Sequence, residues 1–342
     1  MNSDLDELKT ITLEIVNPER SLIDLIPQAT ALRDLFERRA NFRIDHERSI
    51  AAGETRLSSG LAISPTLAAM CLRESFRTLA FIRGLNQAIN DAMAMRPGRP
   101  VRVLYAGCGP YALLAVPLMT VFPREQLVFT LLEVHPESLD RALTLIDSFG
   151  LAHCLDKALC ADATRYQIPA DSKPDVIVSE TMAVCLHNEP QVSIARRLLV
   201  QAPDARMVPQ SVSVEVCLLN EAREHVFMPA DHVGEIPLPE RDRIHLGKIF
   251  ELDAASIRSW ENVEGGRLPA GSVKIPSPLE SRCQPHLLTR IIVYGKHCLQ
   301  DYDCSLTAPQ RLSGKPTFAG GETLRFHYKL GPHPELAYEA TS

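Results

Sequence analysis

Glu180 and Glu189 are the two residues of this sequence whose type and spacing point most directly to chemistry. Glu180 follows the apolar run Val176–Val178, a predicted buried strand, and Glu189 comes after a short loop. Ligands of α/β sheets bind at the carboxyl ends of strands. Two carboxylates that converge there repel each other unless a cation lies between them, and a planar guanidinium is the natural choice. The alternative is a pair of solvated surface charges, because Glu is mostly exposed.

A glycine turn stands earlier in the chain, at Gly107 and Gly109. It follows the apolar run Val101–Ala106 and precedes a predicted helix that extends to Leu118. Glycine permits positive φ and lets a ligand approach the backbone, and the helix N-terminus behind it offers free N–H groups. A bare GxG motif is equally compatible with a purely structural turn.

Acidic residues end the next two predicted strands. Glu133 stands where a carboxylate accepts the ribose hydroxyls of a nucleotide, and Asp162, followed by Ala163, stands where it can meet an adenine edge. A dinucleotide site prefers a third glycine, but Tyr111 follows the turn and no glycine comes soon after it. The ordered set therefore favours an adenosyl group over a dinucleotide.

These residues need a parallel sheet to bring them together. Four apolar runs predict its strands: Val101–Ala106, Leu127–Glu133, Lys157–Ala161 and Pro174–Ser179. A helix is predicted over His135–Phe149, and strands that alternate with helices predict an α/β fold. Residues 1–97 are predicted to be helical, with Ser64-Pro65 as the cap of a long helix.

The pattern changes after Pro209. Alternating apolar and polar residues predict half-buried strands of an antiparallel β region at Ser211–Leu219, Thr289–Tyr294, Asp301–Leu306 and Thr323–Leu330. The stretch from Glu221 to Leu279 is irregular, with one helix predicted near Ala254–Trp260. We predict three parts: a helical region over 1–97, a Rossmann-like cofactor domain over 98–208 and a β-barrel-like domain over 209–342.

Composition excludes several classes of function. A net charge of −6 disfavours nucleic acid as a partner, and the sequence has no apolar run long enough to span a membrane. The polar N-terminus lacks the pattern of a signal peptide, so a cytoplasmic protein is expected. Nine cysteines without a CxxC pair, and histidines without an HExxH pattern, predict reduced thiols and no metal site.

The loop that carries the two glutamates resembles the double-glutamate loop of the protein arginine methyltransferases, which has the pattern SE-x-M-G-x-x-L-x-x-E. Ser179, both glutamates, Met182 and Leu186 fall in register, and Ala183 replaces the family's glycine. The resemblance implies S-adenosylmethionine as cofactor. It also implies that Glu180, Met182 and Glu189 contact a guanidino substrate, with the two glutamates as catalytic residues.

Further segments resemble that family in the same order. CLRESFRTL places Arg77 where an arginine binds the methionyl carboxylate, and LYAGCGPY resembles the cofactor loop, with Tyr105 in place of an aspartate. LLEVHPE places Glu133 on the ribose, and Val208-Pro209 resembles the entry to a C-terminal β-barrel. The resemblance also implies a homodimer, with 221–279 as a candidate contact arm.

One departure from the family concerns the substrate. The family's Thr-His-Trp loop falls at Pro285-His286-Leu287, where only His286 remains as a candidate proton acceptor. This loss favours free arginine or another small guanidine over a protein, as in bacterial natural-product pathways. Two alternatives stay open: methylation of another small metabolite, and a non-catalytic methyltransferase-like subunit in which Tyr105 and Tyr111 crowd the cofactor.

Overall fold

The computed structural model describes residues 3–40, 49–226, 239–280, 282–314 and 318–341. The α-helices in these ranges are α1 Ser3–Val16, α2 Ile26–Arg39, α3 Pro65–Met70, α4 Ser75–Met95, α5 Val116–Met119, α6 Pro136–Ser148, α7 Gln191–Gln201 and α8 Ala254–Ser259. The strands are β1 Thr55–Leu57, β2 Gly60–Ala62, β3 Val101–Ala106, β4 Leu127–Glu133, β5 Leu155–Cys160, β6 Val176–Ser179, β7 Arg206–Val208, β8 Ser211–Leu219, β9 Arg243–Asp253, β10 Arg267–Lys274, β11 Gln284–Tyr294, β12 His297–Leu299, β13 Gln310–Arg311, β14 Thr323–Lys329 and β15 Glu335–Thr341.

The central sheet is parallel throughout, with strand order β5-β4-β3-β6-β7. Its first strand in the chain, β3, lies in the middle, and the order reverses between β3 and β6. This is the doubly wound, Rossmann-like arrangement, whose ligands bind at the reversal point. Ala106 pairs with Ser179 at that edge, so the residues that follow, Gly107 and Glu180, emerge side by side.

Antiparallel strands make up the C-terminal part. One sheet has the order β12-β11-β8-β9, with β13 also paired to β11, and the other has the order β10-β14-β15. The predicted fold class is therefore confirmed: a Rossmann-like α/β sheet, a mainly helical N-terminal region and an antiparallel β region. One cluster of buried apolar side chains runs through all three, from Leu8 to Leu336. The boundaries at 98 and 209 stay predictions.

The N-terminal region differs from its prediction in two places. β1 and β2 form an antiparallel hairpin that was not predicted, because three-residue strands give no periodic signal. The long helix predicted from Ser64 is also interrupted. α3 ends at Met70, and Glu74 has φ −89° and ψ 88°, outside the helical region, before α4 begins at Ser75.

Three predictions for single elements were wrong. Asp301–Leu306 is a turn followed by a 3-10 helix at Ser305–Thr307, because Asp301 pairs with Arg243 and Tyr302 has φ +67°. The predicted helix after Gly109 is a series of turns before the short α5. The stretch 221–279 contains β9 and β10 besides the predicted helix, and its residues 227–238 lie outside the described ranges.

A helix that crosses a membrane needs about 20 consecutive, mainly apolar residues. α4, with 21 residues, is long enough to be considered, but no described helix is both long and apolar enough to cross a membrane.

Candidate active site

A cavity opens at the carboxyl ends of β3, β4 and β6 and contains about 1050 Å³ of empty space, part of it open to solvent. Most of the predicted site residues line it. These are Arg77, Tyr105, Gly107, Gly109, Glu133, Asp162, Ala163, Glu180 and Glu189. Residues from five separate segments of the chain therefore meet at the reversal point of the sheet.

The glycine turn is required by its geometry. Gly107 has φ +72° and Gly109 has φ +62°, values that strain other residues. A Cβ atom at Gly107 would lie 2.3 Å from Cγ2 of Thr181, which leaves no room for a side chain. The turn therefore brings bare backbone to the cavity wall, directly beside the segment that begins with Glu180.

Two acidic side chains at strand ends are fixed by backbone donors. The Glu133 carboxylate accepts hydrogen bonds from the amide of Gly109 (2.8 Å) and the amide of His135 (3.0 Å). Oδ1 of Asp162 accepts from the amide and hydroxyl of Thr164, at 2.9 and 2.7 Å. Both carboxylates are thus oriented, and each has lone pairs left for a ligand.

Arg77 connects the two halves of the cavity. Its Nη2 donates to both carboxylate oxygens of Glu180, at 2.5 and 2.6 Å, and its Nη1 donates to Glu74 at 2.7 Å. Burial alone would lower the pKa of the guanidinium, but the charges around it, Glu180 foremost, more than offset this and place that pKa well above its ordinary value. Arg77 therefore stays charged and neutralises part of the charge of Glu180.

Glu74 was not predicted, yet it positions Arg77. Besides Arg77, its carboxylate accepts hydrogen bonds from the amide (2.7 Å) and hydroxyl (3.0 Å) of Ser305. Burial opposes ionisation of Glu74, but the donors from Ser305 and Arg77 outweigh it and lower the pKa of this carboxyl. One weak signal was present in the sequence, since Glu74 lies within the segment CLRESFRTL, which resembles the methyltransferase helix.

Two unpartnered donors in the first turn of α4 test whether a cofactor fits. Nε of Arg77 and the hydroxyl of Thr78 are buried and have no hydrogen-bond partner within the described part of the chain. Both residues line the cavity. Buried polar groups are normally paired, so these two indicate a missing acceptor such as a carboxylate. Together with the glycine turn and Glu133, they fit a nucleoside-bearing cofactor with a carboxylate group.

The carboxylate of Glu189 has no hydrogen bond or ion pair among the described residues, although Glu189 lines the same cavity as Glu180. Burial, and then the charge of Glu180, raise the pKa of the Glu189 carboxyl to about 8. Burial also raises the pKa of Glu180, against the opposing effect of Arg77. The pair therefore forms an acidic pocket whose charge only Arg77 offsets, which is the condition for binding a cation.

The loop between the two glutamates has a strained backbone. Cys185, Leu186 and Asn188 have φ of 56°, 57° and 60°, a region that costs non-glycine residues about 1–3 kcal/mol each. Contacts from the C-terminal sheets hold it there. Thr289 accepts from the amide of Cys185 (3.0 Å), the Tyr328 hydroxyl donates to the carbonyl of Leu186 (2.7 Å), and the amide of Asn188 donates to the Pro334 carbonyl (2.8 Å).

The hairpin β1–β2 forms part of the cavity wall. Leu57 and Leu61 line the cavity, and the amide of Leu61 donates to the carbonyl of Asn188 at 2.6 Å, next to Glu189. A Cβ atom at Gly60 would lie 2.8 Å from the backbone nitrogen of Pro190, so the hairpin packs closely on the glutamate loop. In the sequence, Gly60 within a polar segment was the one indication that the hairpin approaches the glutamate loop closely.

Two predicted site residues lie elsewhere. His286 is on β11, where its Nε2 contacts Glu221 and its Nδ1 contacts the carbonyl of Gln284, both at 2.9 Å. With both ring nitrogens engaged and the side chain outside the cavity, the structure does not support the predicted proton acceptor. Met182 is 2% exposed and packs in the apolar core rather than in the cavity wall, which corrects its predicted substrate contact.

Tyr105 and Tyr111 are both buried in the cavity wall. Tyr105 ends up beside the glycine turn, and burial places its pKa well above the ordinary value, so it remains a neutral phenol. Tyr111 packs against Phe36 of α2, with ring centroids 5.9 Å apart. Its ring thus joins the packing of the helical region to the cavity.

No family model matches this chain, and no curated protein matches it. Among solved structures it is similar to protein arginine methyltransferase 10 of Arabidopsis thaliana, at 13% identity and a TM-score of 0.43 over 74% of this chain and 87% of that one. It is also similar to PRMT6, at 12% identity and a TM-score of 0.43, over 76% of this chain and 95% of that one. The [4+2]-cyclase SpnF is 19% identical, with a TM-score of 0.26 over 38% of this chain and 45% of that one.

Proposed function

We propose that this protein is an S-adenosylmethionine-dependent N-methyltransferase. Its substrate would be the guanidinium group of free arginine or of another small guanidine. The observation that supports it best is the Glu189 carboxylate, which has no partner in the described ranges and lies beside Glu180. Both face the cavity whose other wall is the glycine turn.

Residues of one half of the cavity would hold the cofactor. Glu133 would accept the ribose hydroxyls, and Nε of Arg77 with the Thr78 hydroxyl would donate to the methionyl carboxylate. Asp162 and Ala163 line the end suited to the adenine. When bound, the cofactor supplies a methyl group on a positively charged sulfur.

Residues of the other half would bind the substrate. Glu180 and Glu189 contact the guanidinium and draw its positive charge towards the nitrogens they hold, so the remaining nitrogen gains lone-pair character. Placing that nitrogen against the methyl group contributes roughly 7–11 kcal/mol through effective concentration. The proton released on methylation goes to a carboxylate of the pair or to water, because His286 lies outside the cavity.

The proposal of a small substrate follows from the missing Thr-His-Trp loop. The hairpin β1–β2 adds an apolar wall to the cavity, where Leu57 and Leu61 lie beside the glutamate loop. A homodimer and a cytoplasmic location stay predictions that follow from the resemblance and from the sequence.

The test is an assay with labelled cofactor against free arginine, an arginine-containing peptide and other small guanidines, with the product mass measured. We expect methylated arginine from the free amino acid. Glu180→Gln should lower turnover roughly hundredfold or more, because a neutral amide cannot replace the charge of the carboxylate. The control Glu264→Gln changes an exposed residue outside the cavity. Turnover within a few-fold of wild type in Glu180→Gln would refute the scheme.

Two further outcomes separate the alternatives. Methyl transfer to a small molecule without a guanidine would favour a different small-metabolite methyltransferase. Absence of any S-adenosylhomocysteine binding by calorimetry would contradict the cofactor assignment and favour a non-catalytic subunit in which Tyr105 fills the space.

A further inference from the structure

A second cavity lies away from the candidate active site, between the α1–α2 connection, α4 and the β11–β12 turn. It contains about 730 Å³ of empty space, part of it open to solvent. We call it the Arg83 pocket, defined by Arg20, Arg83, Lys296 and His297. The residues of the proposed methyltransferase site take no part in it.

Arg83 is the unusual residue of this pocket, since it is buried without an opposite charge. Arg83 is 6% exposed, and its guanidinium donates to the carbonyls of Arg20 (2.9 Å) and Asn17 (2.8 Å). No carboxylate pairs with it in the described ranges. Burial accordingly lowers the pKa of Arg83, and no neighbouring charge offsets this effect. Buried charges in proteins are normally paired, so an uncompensated guanidinium facing a cavity indicates a missing anion.

Lys296 adds a second positive charge to the pocket. Lys296 is exposed at the rim and has no ion pair among the described residues, and burial together with Arg83 and Lys296 lowers the pKa of His297 to about 4. Arg20 is paired with Glu14 at 2.8 Å. The one acid in the wall, Asp303, accepts a hydrogen bond from the amide of Gln300 at 2.8 Å. The pocket therefore has an excess of positive charge.

We propose that the Arg83 pocket binds a small oxyanion of the phosphate class, either free phosphate or a phosphate monoester. Two of the five N–H donors of the Arg83 guanidinium bond to carbonyls, which hold the group in place and leave further N–H donors for an anion, and Lys296 adds a mobile positive charge. This inference goes beyond the methyltransferase and does not depend on it. Because Arg83 lies on α4, the helix that begins beside Arg77, an anion bound there would stabilise the same helix.

The test is the thermal stability of the full chain with added inorganic phosphate or glycerol phosphate, at ionic strength held constant with chloride. We expect a saturating rise in Tm with phosphate that chloride does not give. Lys296→Gln should weaken phosphate binding roughly tenfold, and Lys296→Glu and Arg83→Gln should abolish it. Arg33→Gln, at a half-buried arginine that is paired with Asp34 and lies outside the pocket, is the control that should respond as wild type.

The surface variant Lys296→Glu keeps the test decisive if Arg83→Gln fails to fold. A wild-type response to phosphate no larger than the response to chloride would overturn the proposal. So would an unchanged response in Lys296→Glu, since the anion would then bind elsewhere, for instance at Arg77. A response to free phosphate but not to glycerol phosphate would identify the free ion as the ligand, and the reverse result would identify an ester.

Discussion

At position 189 a carboxyl group faces the cavity with a pKa of about 8, because burial and the adjacent Glu180 both disfavour its charged form. The folded protein therefore holds a proton there that the unfolded chain has already lost at neutral pH. A guanidinium that enters the cavity would favour the charged form and release this proton. The same group that would bind substrate thus makes the empty protein sensitive to pH.

Replacing Glu189 should reveal this sensitivity. Between the ordinary pKa of 4.5 and about 8 the folded state binds more protons than the unfolded state, so wild-type stability falls as pH rises through this window. Glu189→Gln removes the effect and should be more stable than wild type by roughly 5 kcal/mol above pH 8, with little difference near pH 4. Denaturant unfolding at a series of pH values measures it.

The exposed Glu264→Gln is the matched control and should give a pH profile parallel to wild type. Equal stabilities of Glu189→Gln and wild type across this range would show that the Glu189 carboxyl has a partner that keeps it charged.

Most of the site residues predicted from the sequence line the cavity, but the partners that hold them were not predicted. The strand-end positions of Glu133, Asp162 and Glu180 follow from a parallel sheet, so their convergence was predictable. Met182 and His286 were misplaced because the direction of a side chain depends on packing between distant segments. Glu74 was missed for a related reason, since Ser305, its partner, lies in an element that the sequence pattern predicted wrongly.

Among the elements, the turn after β3 is the most tightly constrained. Gly107→Ala would combine a strained φ of +72° with a Cβ atom 2.3 Å from Cγ2 of Thr181, and should destabilise the protein by roughly 2–4 kcal/mol. Gly109→Ala is the comparison. Its φ is similarly positive, but the nearest atom, Cβ of Ala68, is 3.7 Å away, so a loss of about 1 kcal/mol is expected.

A second substitution separates the clash from the backbone strain. Thr181→Ser removes Cγ2 but keeps the hydroxyl that bonds Gln191, so Gly107→Ala should cost about as much as Gly109→Ala in that background. Denaturant unfolding of the four variants tests this. If the cost of Gly107→Ala were the same in both backgrounds, the contact with Thr181 would not be its cause.

How well a strand could be predicted depended on the length of its apolar or alternating run. β3, β4 and β8 have the predicted bounds because long apolar or alternating runs specify them locally. β1 and β2 are three residues each and are held by contacts with the glutamate loop rather than by their own periodicity. No local pattern could therefore reveal them.

At the scale of the whole molecule, Glu74 joins α4 to the C-terminal β region through Ser305, 231 residues further along the chain. Glu74→Gln would place an amide donor against the donors of Arg77 or Ser305. We expect the KM for the cofactor and the Kd of S-adenosylhomocysteine to rise roughly tenfold, with a smaller change in kcat, because Arg77 loses its orientation.

Glu37→Gln is the matched control, since Glu37 pairs with the neighbouring Arg73 (3.1 Å) at the surface, outside the cavity. Its cofactor affinity should stay at the wild-type value. If both variants bound S-adenosylhomocysteine as wild type does, Glu74 would have a structural role and not a positioning one.

The strained loop between the two glutamates has a consequence for the time course of binding. Since Thr289, Tyr328 and Pro334 hold its left-handed residues in place, the loop is ordered when the protein folds and need not rearrange when a ligand arrives. Mixing a guanidine with the cofactor-loaded protein in a stopped-flow instrument should then give a single phase whose observed rate rises linearly with ligand concentration. A rate that reached a plateau would instead indicate that the loop opens and closes before the two carboxylates can engage a cation.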